Sequence, residues 1–211
     1  MPLCFDLDGT LGSFGGGYLL LRETLTELWG VPVEKAELDA CAGSTDWEIV
    51  DELHRTRFGH GLEDDVYAAF ETACLAKFRA TFHPAGRAPV PHAGLIEGLG
   101  ILLDRGHGVW LVSGNSPAVL AFKAEALKLD PRIQLLGSLP RHDRADLIRH
   151  ALTSGLAPHL YAGDRPHDCE AAAQAGVPFL AVGDAAPGDH PALAPHAEAE
   201  ALVKVVERFV S

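Results

Sequence analysis

The chain opens Met1-Pro2-Leu3-Cys4-Phe5-Asp6-Leu7-Asp8-Gly9-Thr10-Leu11. An apolar run carries two aspartates one residue apart and then turns on a glycine. A buried strand tolerates unpaired carboxylates poorly. Strict alternation along an extended strand sends Asp6 and Asp8 to the same side. Two carboxylates about 4 Å apart repel by about 4 kcal/mol at an effective dielectric of about 20. Either some are protonated or a divalent cation neutralises them.

Downstream, short β-like runs alternate with helical patterns. Strands are predicted at Leu3–Leu7, Val109–Ser113, Ile133–Gly137, His159–Gly163 and Val177–Val182. Helices are predicted over 93–105, 116–129, 143–154, 167–176 and 197–210. Asn115 or Ser116 caps the second of these, and Pro117 suits its first turn. The alternation predicts an α/β fold, a doubly wound parallel sheet covered on both faces. Between Gly15 and Ala85 only helical patterns occur: Tyr18–Trp29, Glu34–Cys41, Asp46–Phe58 and Glu63–Phe82. Residues 1–14 and 86–211 therefore read as a Rossmann-like core, and 15–85 as an inserted all-α domain. The stretch from His83 to Pro91 reads as a linker back to the sheet.

Composition narrows the function. The net charge of −12 supplies no basic footprint for nucleic acid or an anionic membrane. An anionic substrate is still possible where protein or metal cations gather locally. The four cysteines, Cys4, Cys41, Cys74 and Cys169, form no CxxC pair and read as free thiols. No leader or membrane helix is recognisable, so a cytoplasmic protein is expected.

In open parallel sheets, ligands bind beyond the carboxyl ends of the strands. Asp6 and Asp8 lie there, as do Ser113-Gly114-Asn115, Gly163-Asp164 with Asp168 just beyond, and Gly183-Asp184. Taken singly, each acid suits a cap or a turn. Together at successive strand ends they form an all-oxygen cluster that favours Mg²⁺ over zinc. Ser113-Gly114-Asn115, leading into a helix N-terminus, offers a hydroxyl and backbone N–H groups to an anion. Three strand ends share one crevice only if their strands are neighbours, which the sequence does not decide.

The segment from Phe5 to Leu11 resembles the opening signature of the haloacid dehalogenase superfamily of phosphotransferases. Leu111–Asn115 is similar to that family's second motif. Tyr161-Ala162-Gly163-Asp164, with Asp168 and Ala171-Ala172, resembles its fourth. The helical insert resembles the family's cap, and Gly43-Ser44-Thr45-Asp46 a cap loop of phosphoglycolate-phosphatase-like members, where a basic residue is more usual at Ser44. The resemblance implies that Asp6 is the nucleophile and forms an aspartyl phosphate. It implies that Asp8 is the general acid and base. It implies that Mg²⁺ is held by Asp6, the Asp8 carbonyl, Asp164 and Asp168, and that Ser113, Gly114 and Asn115 hold the phosphoryl oxygens.

The third motif departs from the family. A lysine is usual there, but Leu139–Ile148 contains none. Arg144 is assigned its place, with Arg141 second. Lys123, midway along a helix, is assigned to the solvated surface. Asp8 sets the chain apart from haloalkanoate dehalogenases, which lack an acid there. The expected activity is a Mg²⁺-dependent phosphatase acting on a small phosphorylated metabolite. The alternatives are a sugar-phosphate mutase of the same superfamily, or a non-catalytic regulator that binds a phosphorylated ligand. Phosphoglycolate, a sugar phosphate and a nucleotide all stay open as substrates, and so does monomer or homodimer.

Other features stay structural. Gly15-Gly16-Gly17 lacks the lysine of a P-loop and reads as a hinge. His142, His150, His159, His167 and His190 form no ligand pair, though His167 can reach the rim of the site. Asp184 reads as a loop residue. Phe14, Tyr18, Thr45 and Trp47 are candidates for the mouth over the substrate.

Overall fold

The computed structural model describes residues 2–83, 86–152, 160–184 and 188–210. The chain runs β1 (Pro2–Phe5), β2 (Gly12–Ser13), α1 (Gly17–Trp29), α2 (Lys35–Asp39), α3 (Asp46–Phe58), α4 (Asp64–Thr81) and β3 (Val90–Pro91). It continues through α5 (Ala93–Asp104), β4 (Gly108–Val112), α6 (Pro117–Ala126), β5 (Gln134–Leu136), α7 (Arg144–Leu152), β6 (Tyr161–Gly163) and α8 (Pro166–Ala175). It ends with β7 (Phe179–Val182), β8 (Ala192–Leu193) and α9 (Ala199–Val210). His159, Pro84, Ala85 and the end of the helix predicted over 143–154 lie outside the described residues.

The main sheet has the order β5-β4-β1-β6-β7-β8, and every pairing is parallel. After β1 the chain builds outward on one side through β4 and β5, then returns to build the other side from β6. β1 is thus the switch point where such sheets open a crevice. Phe5 pairs with Leu111 on one side and Ala162 on the other. The carboxyl ends of β1, β4 and β6 are therefore immediate neighbours.

Successive β1 side chains serve opposite layers, as the pleat requires. Leu3 and Phe5 pack with Leu95, Leu99 and Leu102 of α5 and Leu202, Val203 and Val206 of α9. Cys4 packs with Leu147 and Ile148 of α7, and with Ala171 and Ala172 of α8. Both faces being covered explains why the inner strands read as continuous apolar runs. β8, a two-residue edge strand, and the two-residue antiparallel ribbon β2–β3 are additions to the predicted set. The ribbon pairs Gly12 with Pro91 and Ser13 with Val90. It clamps the two chain passages between the sheet and the helices, where the sequence suggested only a linker.

The four helices α1–α4 follow one another without a strand. α3 starts where its capping chemistry dictates: the Thr45 hydroxyl accepts from Glu48 N–H, and the Glu48 carboxylate accepts from Thr45 N–H. Its N-terminus is pressed onto the sheet domain. Asp46 N–H donates to the Gly114 carbonyl at 2.7 Å and Trp47 N–H to Ser138 Oγ at 3.0 Å.

Candidate active site

The crevice at the carboxyl ends of β1, β4 and β6 holds a cavity of about 310 Å³. Asp6, Asp8, Ser113, Gly114, Asn115, Lys123 and Arg144 line it from the core, and residues of α1, α3 and α4 close it from above.

Asp6 stays on the ladder, its N–H donating to the Ala162 carbonyl at 2.8 Å. Its side chain follows the parity of Cys4, toward α7 and α8. There Asp6, Asp164 and Asp168 each offer a carboxylate oxygen within 4.8 Å of the others. The donor set is all oxygen. Mg²⁺–oxygen bonds of about 2.0–2.1 Å put opposite ligands about 4.2 Å apart, so a slight contraction closes this group on a hard cation. The residues present fit Mg²⁺.

Arg144 sits in the same cluster. Its Nη1 donates to Asp6 Oδ1 at 3.0 Å, Asp168 Oδ1 at 2.9 Å and the Tyr161 hydroxyl at 3.2 Å. Its Nη2 donates to the Ser44 carbonyl of the insert at 2.8 Å. Arg141 lies elsewhere, paired with the exposed Asp64 at 3.0 Å and stacked over Trp47. Burial raises the Asp6 pKa, the Asp168 carboxylate raises it further, and Arg144 opposes both. Asp164 is pushed up to about 6 by burial and by Asp168. His167 reaches the cavity rim, and burial together with Arg144 pushes it down to about 4, leaving it uncharged at neutral pH.

Asp8 behaves differently from the alternation argument. Its carboxylate turns away from the Asp6 cluster, accepting from Asn115 Nδ2 at 2.8 Å and Lys123 Nζ at 2.5 Å. The reason is local. Ladder geometry ends at Asp6, and Leu7–Gly12 form a turn in which both Leu11 and Gly12 donate to the Leu7 carbonyl. Period-two alternation has no force there. Gly9 holds this turn at φ +90°, and a Cβ at that position would overlap the Asp164 carboxylate.

Lys123 corrects the surface assignment made from the sequence. It is 2% exposed. Its Nζ also donates to Asn115 Oδ1 at 2.7 Å and lies 5.2 Å and 4.7 Å from the ring centres of Phe14 and Phe78. A signal was available: Lys123 shares the buried face of α6 with Val119, Leu120 and Ala124, at the spacing of an apolar stripe. Ser138 escaped the sequence reading, and Tyr161 entered it only as part of the fourth motif, with no role assigned. Tyr161 is a buried strand residue whose hydroxyl meets both Arg144 and Asp168.

Ser113 is buried at the end of β4 and accepts from Asn115 Nδ2 at 2.8 Å. Neither Asn115 nor Ser116 caps α6 with its side chain; the Asp46 carboxylate of the insert accepts from Ser116 N–H at 2.7 Å instead. Burial pushes Asp46 up to about 6. Of the four mouth candidates, Phe14 and Tyr18 line the cavity. Thr45 serves as the cap of α3, and Trp47 packs edge-on against Tyr67.

Among solved structures, a beta-phosphoglucomutase of Clostridium difficile superposes with a TM-score of 0.67 at 12% identity, covering 99% of this chain and 96% of that one. A "predicted phosphatase" of Clostridium acetobutylicum gives 0.64 at 19%, covering 98% of each chain. A "predicted phosphoglycolate phosphatase" of Haemophilus somnus gives 0.63 at 18%, covering 97% and 96%. At such identities the likeness carries the fold alone. No curated protein sequence matches the chain. Residues 3–182 do match the haloacid dehalogenase-like hydrolases, a span holding every acid of the crevice, and the chain belongs to that family of enzymes.

Proposed function

We propose that the enzyme is a Mg²⁺-dependent phosphatase that hydrolyses small phosphomonoesters through an aspartyl phosphate on Asp6. The observation that carries this is the division of labour between the two aspartates of the opening motif. Asp6 stands in the acidic cluster with Arg144, and Asp8 stands apart between Asn115 and Lys123. Asp6 attacks phosphorus, and the bond to the alcohol oxygen breaks. Asp8 gives that oxygen a proton, then takes one from the water that releases phosphate. Ser113, the N–H groups of Gly114 and Asn115, and Arg144 hold the phosphoryl oxygens. Mg²⁺ held by Asp6, the Asp8 carbonyl, Asp164 and Asp168 would offset the charge between nucleophile and phosphate. Residues 15–85 act as the cap over residues 1–14 and 86–211.

The test is phosphate release from a panel of phosphomonoesters. Asp6→Asn is expected to abolish turnover with the thermal melt preserved, and EDTA to stop a reaction that added Mg²⁺ restores. Wild-type rates in Asp6→Asn, or activity that persists in chelator, would refute the mechanism. A strict need for a sugar bisphosphate would indicate the mutase.

A further inference from the structure

The cap side of the cavity has a charge character that bears on the leaving group. Its wall there is formed chiefly by Tyr18, Leu21, Ile49, Cys74 and Phe78, with Asp46 as the charged residue. Among the described residues, the insert contributes no lysine, arginine or histidine to this lining. The core cations of the lining lie beside core acids. Lys123 is held by Asp8 and Asn115, and Arg144 by Asp6, Asp168 and the Ser44 carbonyl. Arg165 belongs to the core part of the lining and sits beside Asp164, with its Nε 3.9 Å from that carboxylate.

Asp46 is anchored rather than adrift. Its N–H donates to the Gly114 carbonyl, and its Oδ2 accepts from Ser116 N–H, both at 2.7 Å. One carboxylate oxygen is thus engaged, and a carboxylate can accept at both. A substrate whose phosphate occupies the Ser113–Asn115 seat places its alcohol portion between this acid and the apolar wall. A second negative charge there would face Asp46 with no cation from the cap to offset it, a like-charge juxtaposition that disfavours binding.

We infer that Asp46 selects the leaving group: the preferred substrates are small phosphomonoesters whose alcohol carries a hydroxyl or ammonium donor and no negative charge, and phosphocarboxylates are rejected. This rests on the phosphatase reading above.

The experiment compares kcat/KM of the full chain with Mg²⁺ for three two-carbon esters of matched size: 2-hydroxyethyl phosphate, 2-aminoethyl phosphate and phosphoglycolate. Acetyl phosphate, an activated donor with little leaving group to recognise, reports the phosphatase chemistry itself. The two donor-bearing esters are expected to exceed phosphoglycolate by at least about tenfold, because only phosphoglycolate sets a second like charge against Asp46. Asp46→Asn keeps an acceptor for Ser116 N–H and removes the charge. It is expected to shrink that ratio about tenfold or more, chiefly through KM for phosphoglycolate. A purely structural Asp46 would lower all rates together and leave the ratio unchanged, which overturns the inference. Ser44→Arg, which adds a cation to the same wall, is the second variant and is expected to raise phosphoglycolate turnover selectively. Turnover of acetyl phosphate together with a wild-type preference for phosphoglycolate overturns the inference alone. Inactivity toward all four compounds removes the phosphatase reading and the inference with it.

Discussion

Replacing Lys123 with methionine isolates the hold on Asp8. Methionine is unbranched and nearly as long, so it keeps the packing against Phe14 and Phe78 and removes only the ammonium. The ammonium's contacts are lost: the 2.5 Å ion pair with Asp8 Oδ2, the 2.7 Å hydrogen bond to Asn115 Oδ1, and the weaker cation–π contacts with Phe14 and Phe78. Asp8 keeps its bond from Asn115 Nδ2 at 2.8 Å, so its carboxylate is loosened rather than released. A hydrogen bond to a charged group contributes about 1.5–3 kcal/mol. If that hold sets the geometry of proton transfer, kcat falls by about 10- to 150-fold, at about 1.36 kcal/mol per tenfold. Stability should change little. The lysine no longer has to be desolvated, and the Asp8 side chain, 37% exposed, can be rehydrated. The assay is steady-state phosphate release paired with a thermal melt of the same preparation. A kcat within twofold of wild type, with an unchanged melt, would show that Lys123 only fills space and that the placement of Asp8 does not depend on it.

Arg144→Ala is expected to cost at least about 100-fold in kcat/KM, because it leaves Asp6 and Asp168 buried without their cation. Arg141→Ala, at an exposed pair, should stay within about threefold, and the reverse order would move the third motif to Arg141. Gly9→Ala should abolish Mg²⁺-dependent activity, since a Cβ there overlaps the Asp164 carboxylate and φ +90° strains any L-residue; a fully active alanine variant would refute that packing. Asp46 and Asp164, both near 6 in the fold, sit above the ordinary carboxylate value of about 3.9. Between those values Asp46, Asp164 and the raised Asp6 hold protons in the fold that they release on unfolding, against the single proton His167 loses on folding, so stability rises as pH falls from about 7 toward 4. The metal-free melting temperature should therefore be higher at pH 5.5 than at pH 7.5. Millimolar Mg²⁺ should raise the pH 7.5 value more, because it supplies the charge that protons otherwise supply. A metal-free melt that drops steadily over that interval would contradict the assignment.

The candidate site was legible where local pattern and chemistry coincide. Asp6 ends an apolar run, Ser113 ends another before a proline-started helix, and Gly163-Asp164 ends a third. The doubly wound sheet makes these ends neighbours around β1. α3 spans Asp46–Phe58 as predicted, because a Thr45–Glu48 capping box is a contact between residues three apart. β8 and the β2–β3 ribbon went unseen because two-residue strands carry no periodicity; they exist through partners distant in sequence. Lys123 was misassigned for a related reason. Its chemical type argues for solvent, and only the packing of α6 against Phe14 and Phe78 decides that its stripe faces inward.

By itself the sequence determined the alternating elements, the helical insert and the identity of the acids at the strand ends, since short-range periodicity, capping and turn chemistry act within a few residues. Tertiary structure alone decided which acids share a cluster, that Asp8 turns to Lys123 while Asp6 turns to Arg144, and that Asp46 reaches across to close α6. Those outcomes depend on side chains tens of residues apart being desolvated together, where a charge is tolerated only beside a partner.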